Sequence, residues 1–410
     1  MTGSRGYRSA DTLERTFAFV EINQETFDGW TEYTITHDLL HGTSSFHMSA
    51  PAFPRDDEGR GDQLVDLDAR GIKRGQRIKV YVKTPKARNP VLVLTGIIDD
   101  VDIEESREGA NVQISGRCHM APIVDSDAPP RIGLENVTLG EAAMRMLTEV
   151  SPGQSTPFFK WTDILIDNDA NRALSTGNAA AGTTLSASAP KKLETYKIDQ
   201  IKPHPGETIF AFLSRHAQRF GLLVWGTADG KIVFGKPNYD QLPMYDLRLR
   251  QGARGAENNV KHFRRRTSFK QRPSEIHVYG HSTGRDHLSS SIHAVARDQE
   301  VLDAGLFRQL TIHDNNARTK EQAECRANFE LSTRRQTGDV LHATVAGHAA
   351  DEDGTVYAID TIASVAWDKA GLNEGRYVVS RTFTRSRSAG THTQLQLVPK
   401  GSIALGTGGQ

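Results

Sequence analysis

The chain has 410 residues, enough for about two to four domains with a sizeable core. Basic and acidic residues balance at 50 each, so overall charge favours neither nucleic acid nor a membrane surface as a partner. The two cysteines are typical of folding in a reducing cytoplasm without a disulfide framework. The polar N-terminus and the absence of an apolar run of bilayer length predict that any role at a membrane depends on partners.

Residues 1–130 are predicted to form a first β-barrel domain. Short segments with alternating apolar and polar residues are separated by turn residues, a pattern typical of antiparallel strands in a closed or nearly closed barrel. The predicted strands are 17–22, 33–36, 45–50, 78–82, 91–101 and 111–117, with a turn at 27–30.

Residues 131–240 are predicted to form a central α/β region. Thr138 and Glu141 have the spacing of a capping box, which predicts a helix over 139–150. The stretch 168–192 consists mainly of Ala, Ser, Thr, Gly and Asn, and its lack of apolar residues predicts an exposed or mobile loop.

A helix followed by a hairpin is predicted at 205–237. Thr208 is a suitable N-cap, apolar residues then recur at helical spacing, and Gly221 ends the helix. Asp229 and Gly230 form the predicted turn between strands at 222–225 and 232–234. This pattern defines a small α/β module.

Residues 241–400 are predicted to form a second β-barrel domain, followed by a flexible tail at 401–410. A helix is inserted near 317–336, where Ala323, Ala327 and Leu331 recur at four-residue steps. The polar stretch 281–302 is predicted to be extended or loop. The predicted strands are 245–249, 260–270, 275–280, 340–347, 356–367, 376–384 and 391–398.

The last four predicted strands resemble four strands of the first domain in order and spacing. In both cases a strand is followed by a polar loop, two further strands, and a hairpin that contains Ser-Arg and then Gly. The corresponding segments begin at Phe46 in the first domain and at Leu341 in the second. We therefore interpret the chain as containing two related β modules.

Charge is segregated locally although it balances overall. Residues 99–108 include six acids and one arginine, whereas residues 261–272 include six basic residues and no acid. Such patches can steer subunit assembly, and they can equally be solvated faces of a large protein. Two phenylalanines in the basic run also suit single-stranded nucleic acid, but a strand with one apolar and one basic face is favoured.

Motifs for catalysis or metal binding are not found. The chain has no Gly-x-Ser-x-Gly elbow, no His-Glu-x-x-His and no phosphate-binding loop. Histidines four residues apart, His37 with His41 and His277 with His281, fall in predicted strands or turns, where that spacing separates them by roughly 13 Å. Paired acids for glycoside hydrolysis need no fixed spacing, so this chemistry stays open.

Three segments that together span nearly the full length resemble the baseplate hub proteins of Mu-type contractile phage tails, the late-control D family. The first is the turn Phe27-Asp28-Gly29-Trp30 with the polar strand that follows it. The second is the helix and hairpin at 205–237. The third is 318–398, with its charged helix around Cys325 and the Gly390-Thr391-His392-Thr393 hairpin. Related proteins form the hub part of type VI-like spikes.

The resemblance implies a structural protein rather than an enzyme, with no cofactor and no metal. It implies a homotrimer that joins the sixfold tail tube to the threefold central spike, because two β modules per chain present six similar modules to the tube. Further implied partners are wedge or tape-measure proteins, with DNA only in transit through the channel and no direct membrane binding. The implied location is the virion tail baseplate, after assembly in the bacterial host cytoplasm.

Charged residues on the predicted strands are the expected contacts with the tube. They are Arg77, Lys79 and Asp99 in the first module and Arg376, Arg381 and Arg385 in the second. Two alternative functions remain: the hub of a phage-derived injection device such as a tailocin, and a tail-associated peptidoglycan hydrolase.

Overall fold

The computed structural model describes residues 16–52, 72–85, 87–107, 109–129, 134–149, 157–166, 197–218, 222–237, 239–252, 258–281, 291–314, 317, 319–351 and 353–402. Strands dominate this part of the chain, and the predicted mixed β and α+β class is confirmed. Within these ranges no helix is both long enough and apolar enough to span a membrane. The predicted loop at 168–192 and the tail beyond residue 402 lie outside the described residues.

Seven strands form the first β module. Alternating residues of each strand point into the core, as Ala18, Val20 and Ile22 do with at most 2% exposure. The strands are β1 (Phe17–Ile22), β2 (Glu25–Phe27), β3 (Glu32–Asp38), β4 (Ser45–Ala52), β5 (Arg77–Lys83), β6 (Val91–Ser106) and β7 (Gly109–Cys118).

The central region contains the two predicted helices with their predicted caps. The Thr138 hydroxyl accepts a hydrogen bond from Glu141 N at 3.2 Å, and the Glu141 carboxylate accepts one from Thr138 N at 2.8 Å. The Thr208 hydroxyl caps the second helix through Ala211 N at 3.2 Å. The elements are α1 (Ala121–Asp125), β8 (Leu134–Thr138), α2 (Leu139–Thr148), β9 (Ile164–Ile166), β10 (Lys197–Ile201), α3 (Ile209–Gln218), β11 (Leu223–Gly226) and β12 (Ile232–Gly235).

The C-terminal half contains the second β module and a separate small sheet. The small sheet, β16–β15–β17, packs against a long helix through Ala323, Ala327 and Leu331, so the predicted helical face is the buried one. The elements are β13 (Tyr245–Leu249), β14 (Val260–Thr267), β15 (Glu275–His281), β16 (Ser291–Arg297), α4 (Gln299–Asp303), β17 (Gln309–Asp314), α5 (Lys320–Gly338), β18 (Asp339–Ala346), β19 (Thr361–Trp367), β20 (Leu372–Ser386) and β21 (Gly390–Pro399).

The two β modules have the same strand order. Neighbouring strands run β3–β4–β7–β6–β5–β1 in the first module and β14–β18–β21–β20–β19–β13 in the second. They differ at the end, because β1 is antiparallel to β5 whereas β13 is parallel to β19. The long strand of each module also carries a bulge at the same distance from its hairpin, after Ile98 in β6 and after Val378 in β20. This shared topology agrees with the related β modules predicted from the sequence.

The modules are joined edge to edge rather than closed individually. Strand β20 pairs with β3 in antiparallel fashion from Ser380 opposite Asp38 to Arg385 opposite Tyr33. The result is one continuous 13-stranded sheet, and within the described strands neither module closes into a barrel of its own. Of the closed or nearly closed barrel that was expected, the described strands do not form the closed alternative, because β3 uses its second edge to bind the other module.

Candidate functional site

Groups able to hold a metal ion do not cluster in the part of the chain that the structure describes. His37 lies in β3 with 4% exposure, and its Nε2 contacts Gly226 O at 3.0 Å. Burial lowers the pKa of His37 to about 3. His277 contacts His293 at 3.1 Å and Glu275 at 3.3 Å on an exposed sheet face. These histidines therefore make separate protein contacts.

A polar cleft of about 470 Å³ lies beside β14 and α5. Glu300 in this cleft pairs with Arg272 at 2.7 Å, and Asp339 pairs with Arg265 at 2.9 Å and Arg376 at 3.0 Å. Burial pushes the pKa of Asp339 upward, but the hydrogen bonds from its two arginines leave this pKa below the usual value. A general acid for glycoside hydrolysis needs a raised pKa, so Asp339 has the opposite property.

Arg381 is buried where the two β modules meet. Its side chain is 3% exposed, donates to Tyr357 O at 3.0 Å and Val93 O at 3.3 Å, and lies 4.1 Å from the centre of the Phe383 ring. Burial lowers the pKa of Arg381 to about 9. Because Val93 belongs to β6, this arginine links the second module to the first.

Arg376 is also buried, with 1% exposure, and its guanidinium pairs with Asp339 at 3.0 Å and Glu374 at 2.8 Å. These contacts hold β20 against the start of β18. Arg376 and Arg381 were both expected to contact the tail tube. Because both side chains are buried within the chain, neither has surface that a partner could contact, and we no longer expect these two arginines to bind the tube.

The other four candidates lie at or near the surface. Arg77 is exposed, and Lys79 beside it on β5 pairs with Glu21 at 3.2 Å. Asp99 is the bulge residue of β6 and pairs with Arg117 at 2.8 Å. Arg385, near the end of β20, is half-buried. Tube contact stays a prediction for these four residues, which lie on the three strands β5, β6 and β20.

Two oppositely charged strand edges are the most distinctive surface features of the large sheet. The acidic edge is the distal part of β6, residues 100–105, where Asp102, Glu104 and Glu105 are exposed. The basic edge is β14, residues 260–267, where Arg264 and Arg266 are exposed. The sequence predicted both charge patches, on strand edges or loops, and the structure places residues 100–105 on β6 and residues 260–267 on β14.

Comparison with known proteins identifies the class to which this fold belongs. The fold is similar to that of solved tail proteins: a tail protein from Neisseria meningitidis MC58 is 21% identical with a TM-score of 0.71, and the match covers 95% of this chain and 98% of that protein. The 43 kDa tail protein of prophage MuSo2 from Shewanella oneidensis is 21% identical with a TM-score of 0.69, and the match covers 95% of this chain and 100% of that protein. A type VI secretion component of E. coli is 12% identical with a TM-score of 0.50, and the match covers 93% of this chain and 76% of that protein.

The family match is confined to the first β module. Residues 19–118 match the family described as Mu phage baseplate assembly protein GpP-like, N-terminal. The resemblance to Mu-type baseplate proteins expected from the sequence is thereby confirmed. A search of curated protein sequences found no match.

Proposed function

We propose that this chain is the hub of a contractile phage tail baseplate, a homotrimer that joins the sixfold tail tube to the threefold central spike. The observation that carries the proposal is the repeated strand order of the two β modules within one chain. Three copies supply six similar modules in a ring, whereas the inserted elements occur once per copy and keep threefold symmetry. The virion baseplate is the proposed location.

The surface chemistry supports an adaptor rather than an enzyme. The described carboxylates of the polar cleft are ion-paired, and two strand edges of the large sheet are not paired with any described strand. Free strand edges are sites at which another chain can add by backbone pairing. We therefore expect binding to the tube through the first and second β modules, with Arg77 and Lys79 as the leading contact candidates because both are exposed on β5.

Native mass measurement of the purified chain tests the trimer. We expect a mass near three times 45.2 kDa. Pull-down with the tail tube protein and spike protein encoded beside it tests the adaptor role, with R77E/K79E as the variant expected to weaken tube binding. A chain that stays monomeric with both partners present contradicts the proposal.

A cell-wall hydrolysis assay on the same preparation distinguishes the hydrolase alternative. We expect no release of peptidoglycan fragments from the trimeric protein. Release that survives purification and is lost on substitution of a single carboxylate supports the enzyme instead. A tailocin hub makes the same predictions as a phage hub and differs only in the genes that surround it.

A further inference from the structure

Strands β20 and β6 each pair with a hairpin partner, β21 and β7, on one edge, and the opposite edge is called the outer edge. The outer edge of β20 is paired along almost its whole length, whereas that of β6 is not. The proximal part of β20 pairs with β19 and its distal part, from Ser380 to Arg385, pairs with β3. The proximal part of β6 likewise pairs with β5, as far as Ile97. No described strand pairs with the outer edge of residues 100–105, so β6 has no described partner in the position that β3 takes beside β20.

The second module has the complementary gap. Strand β3 pairs with β4 on one edge and with β20 on the other. Its equivalent, β14, pairs with β18 on one edge, and no described strand pairs with its other edge. Among the described strands, the large sheet therefore has one unpaired edge on β6, equivalent to the edge of β20 that binds β3, and one on β14, equivalent to the edge of β3 that binds β20.

We propose that β14 of a second copy of this chain pairs in antiparallel fashion with residues 100–105 of β6. This inference rests on the proposed hub function and specifies the subunit interface of that hub. The contact inside the chain between β20 and β3 is its template. Donor and acceptor edges differ, so the interface is heterologous and successive copies form a ring when the rotation closes.

The internal pairing fixes the register of the proposed interface. On β6, Asp102 and Glu104 take the places of Thr382 and Thr384, because the two strands have equivalent bulges and pair with equivalent hairpin strands. On the other side, Arg264 takes the place of Thr34. The paired residues across the strands establish this equivalence. In the first module Thr34 pairs with His47, His47 with Ser115, and Ser115 with Asp100. In the second module Arg264 pairs with His342, His342 with Gln396, and Gln396 with Ser380, so Arg264 corresponds to Thr34 and Ser380 to Asp100.

Transferring the register places opposite charges face to face. Thr384 pairs with Thr34 and Thr382 with Thr36 inside the chain. The same register between copies places Glu104 opposite Arg264 and Asp102 opposite Arg266. Directly opposed charges of unlike sign stabilise an antiparallel pair, and like charges there destabilise it. The register follows from the strand pairing alone, so the opposition of acidic and basic residues supports it independently.

An exposed apolar residue supports the same interface. Ile103 on the acidic edge is 52% exposed, whereas Phe383, which occupies the equivalent position on β20, is fully buried beside β3. Pairing with β14 of the next copy covers Ile103 with a strand, as β3 covers Phe383. Inside the chain the hydroxyls of Thr36 and Thr382 lie 3.2 Å apart. At the equivalent place between copies, Arg266 and Asp102 form the proposed ion pair.

Charge reversal tests the interface. We expect D102R/E104R and R264E/R266E each to reduce the trimer fraction by at least about tenfold, because each brings like charges face to face. The fourfold variant that combines both changes is expected to recover the trimer. All four positions are exposed, and a circular dichroism spectrum equal to that of the parent verifies folding. Trimers that persist in both single-sided variants overturn the inference and leave the hub proposal intact.

Cysteine cross-linking tests the register directly. The E104C/R264C chain is expected to form intersubunit disulfides, because directly opposed residues have the Cβ separation that a disulfide needs. The matched control E104C/K261C is three residues out of register, roughly 10 Å along the strand, and is expected to form none. The native cysteines, Cys118 and Cys325, are both buried. When the chain is trimeric, alone or with the tube and spike proteins, absence of the E104C/R264C product, or equal product in the control, overturns the register and leaves the hub proposal intact.

Discussion

Tyr33 in β3 and His348 after β18 form a hydrogen bond across the boundary between the two β modules, with Oη and Nε2 3.0 Å apart. Thr393 determines the direction of this bond. Its hydroxyl donates to Gly347 O at 2.6 Å and so accepts from Nδ1–H of His348 at 3.0 Å. Nε2 is then the acceptor, and Tyr33 is the donor. A buried relay of three side chains therefore joins the modules.

Removing the Tyr33 hydroxyl is expected to destabilise the chain. In Tyr33→Phe the buried Nε2 of His348 loses its donor, which costs about 1–3 kcal/mol in the free energy of unfolding. The matched control is Tyr81→Phe, because the Tyr81 hydroxyl donates to Glu21 at 3.3 Å in a partly exposed position. We expect a clear shift of the urea unfolding midpoint for the first variant and little for the second. Equal shifts contradict this account of the relay.

Two buried histidines predict loss of stability in mild acid. Burial lowers the pKa values of His37 and His348 to about 3, from a usual value of 6.5. Below pH 6.5 the unfolded chain takes up protons at these sites while the native state does not, so the native state loses stability as the pH falls. The loss is at most about 1.4 kcal/mol per pH unit for each histidine, and it ends near the native pKa.

Urea unfolding between about pH 7 and pH 5 measures this effect, because most carboxylates titrate below that window. We expect His37→Gln and His348→Gln each to reduce the slope of stability against pH, whatever they do to stability at neutral pH. A slope that is unchanged in both variants shows that the acid sensitivity has another origin. Burial also lowers the pKa of His119, so a variant that carries both substitutions is expected to keep part of the slope of stability against pH.

Two glycines in strands of the large sheet are expected to respond differently to alanine. A Cβ at Gly116 in β7 meets the backbone carbonyl of Ile97 and the Phe46 ring, which cannot move away independently. A Cβ at Gly375 in β20 meets mainly the end of the Lys400 side chain, which is flexible. We expect Gly116→Ala to cost about 1–3 kcal/mol and Gly375→Ala much less, as measured by thermal unfolding. The reverse order contradicts the packing of β6 on β7.

Strand positions in this fold could be predicted from local pattern, whereas burial of charge could not. Alternation gave β1 and β13 with the bounds that the structure has. It also placed Arg376 and Arg381 on strands, but it assigned them to the surface, because a strand pattern does not distinguish which face a second layer covers. Their burial depends on Asp339 and on the carbonyls of Tyr357 and Val93, which only the tertiary structure brings close.

The missed elements are those with weak local signals. Within 281–302, predicted as extended or loop, β16 agrees with the extended alternative, whereas the short helix α4 was not predicted. Ala294 and Ala296 of β16 are buried in the same cluster as residues of β15 and α5. Strand β9 has three residues and is stabilised by parallel pairing with β12, a contact between distant segments. The acidic and basic edges were visible as charge runs. Their equivalence to β20 and β3 required the strand order.

The heterologous interface makes a further prediction about mixtures. The D102R/E104R variant has two basic edges, and R264E/R266E has two acidic edges, so in a mixture each variant can bind only the other. Rings with alternating members contain an even number of copies, and a trimer cannot be closed in this way. Any mixed trimer keeps one junction between like charges, so native mass spectrometry of the mixture is expected to show mainly the mixed dimer and a trimer fraction well below that of the fourfold variant. Mixed trimers at the level of the fourfold variant contradict a ring in which every junction joins β6 to β14.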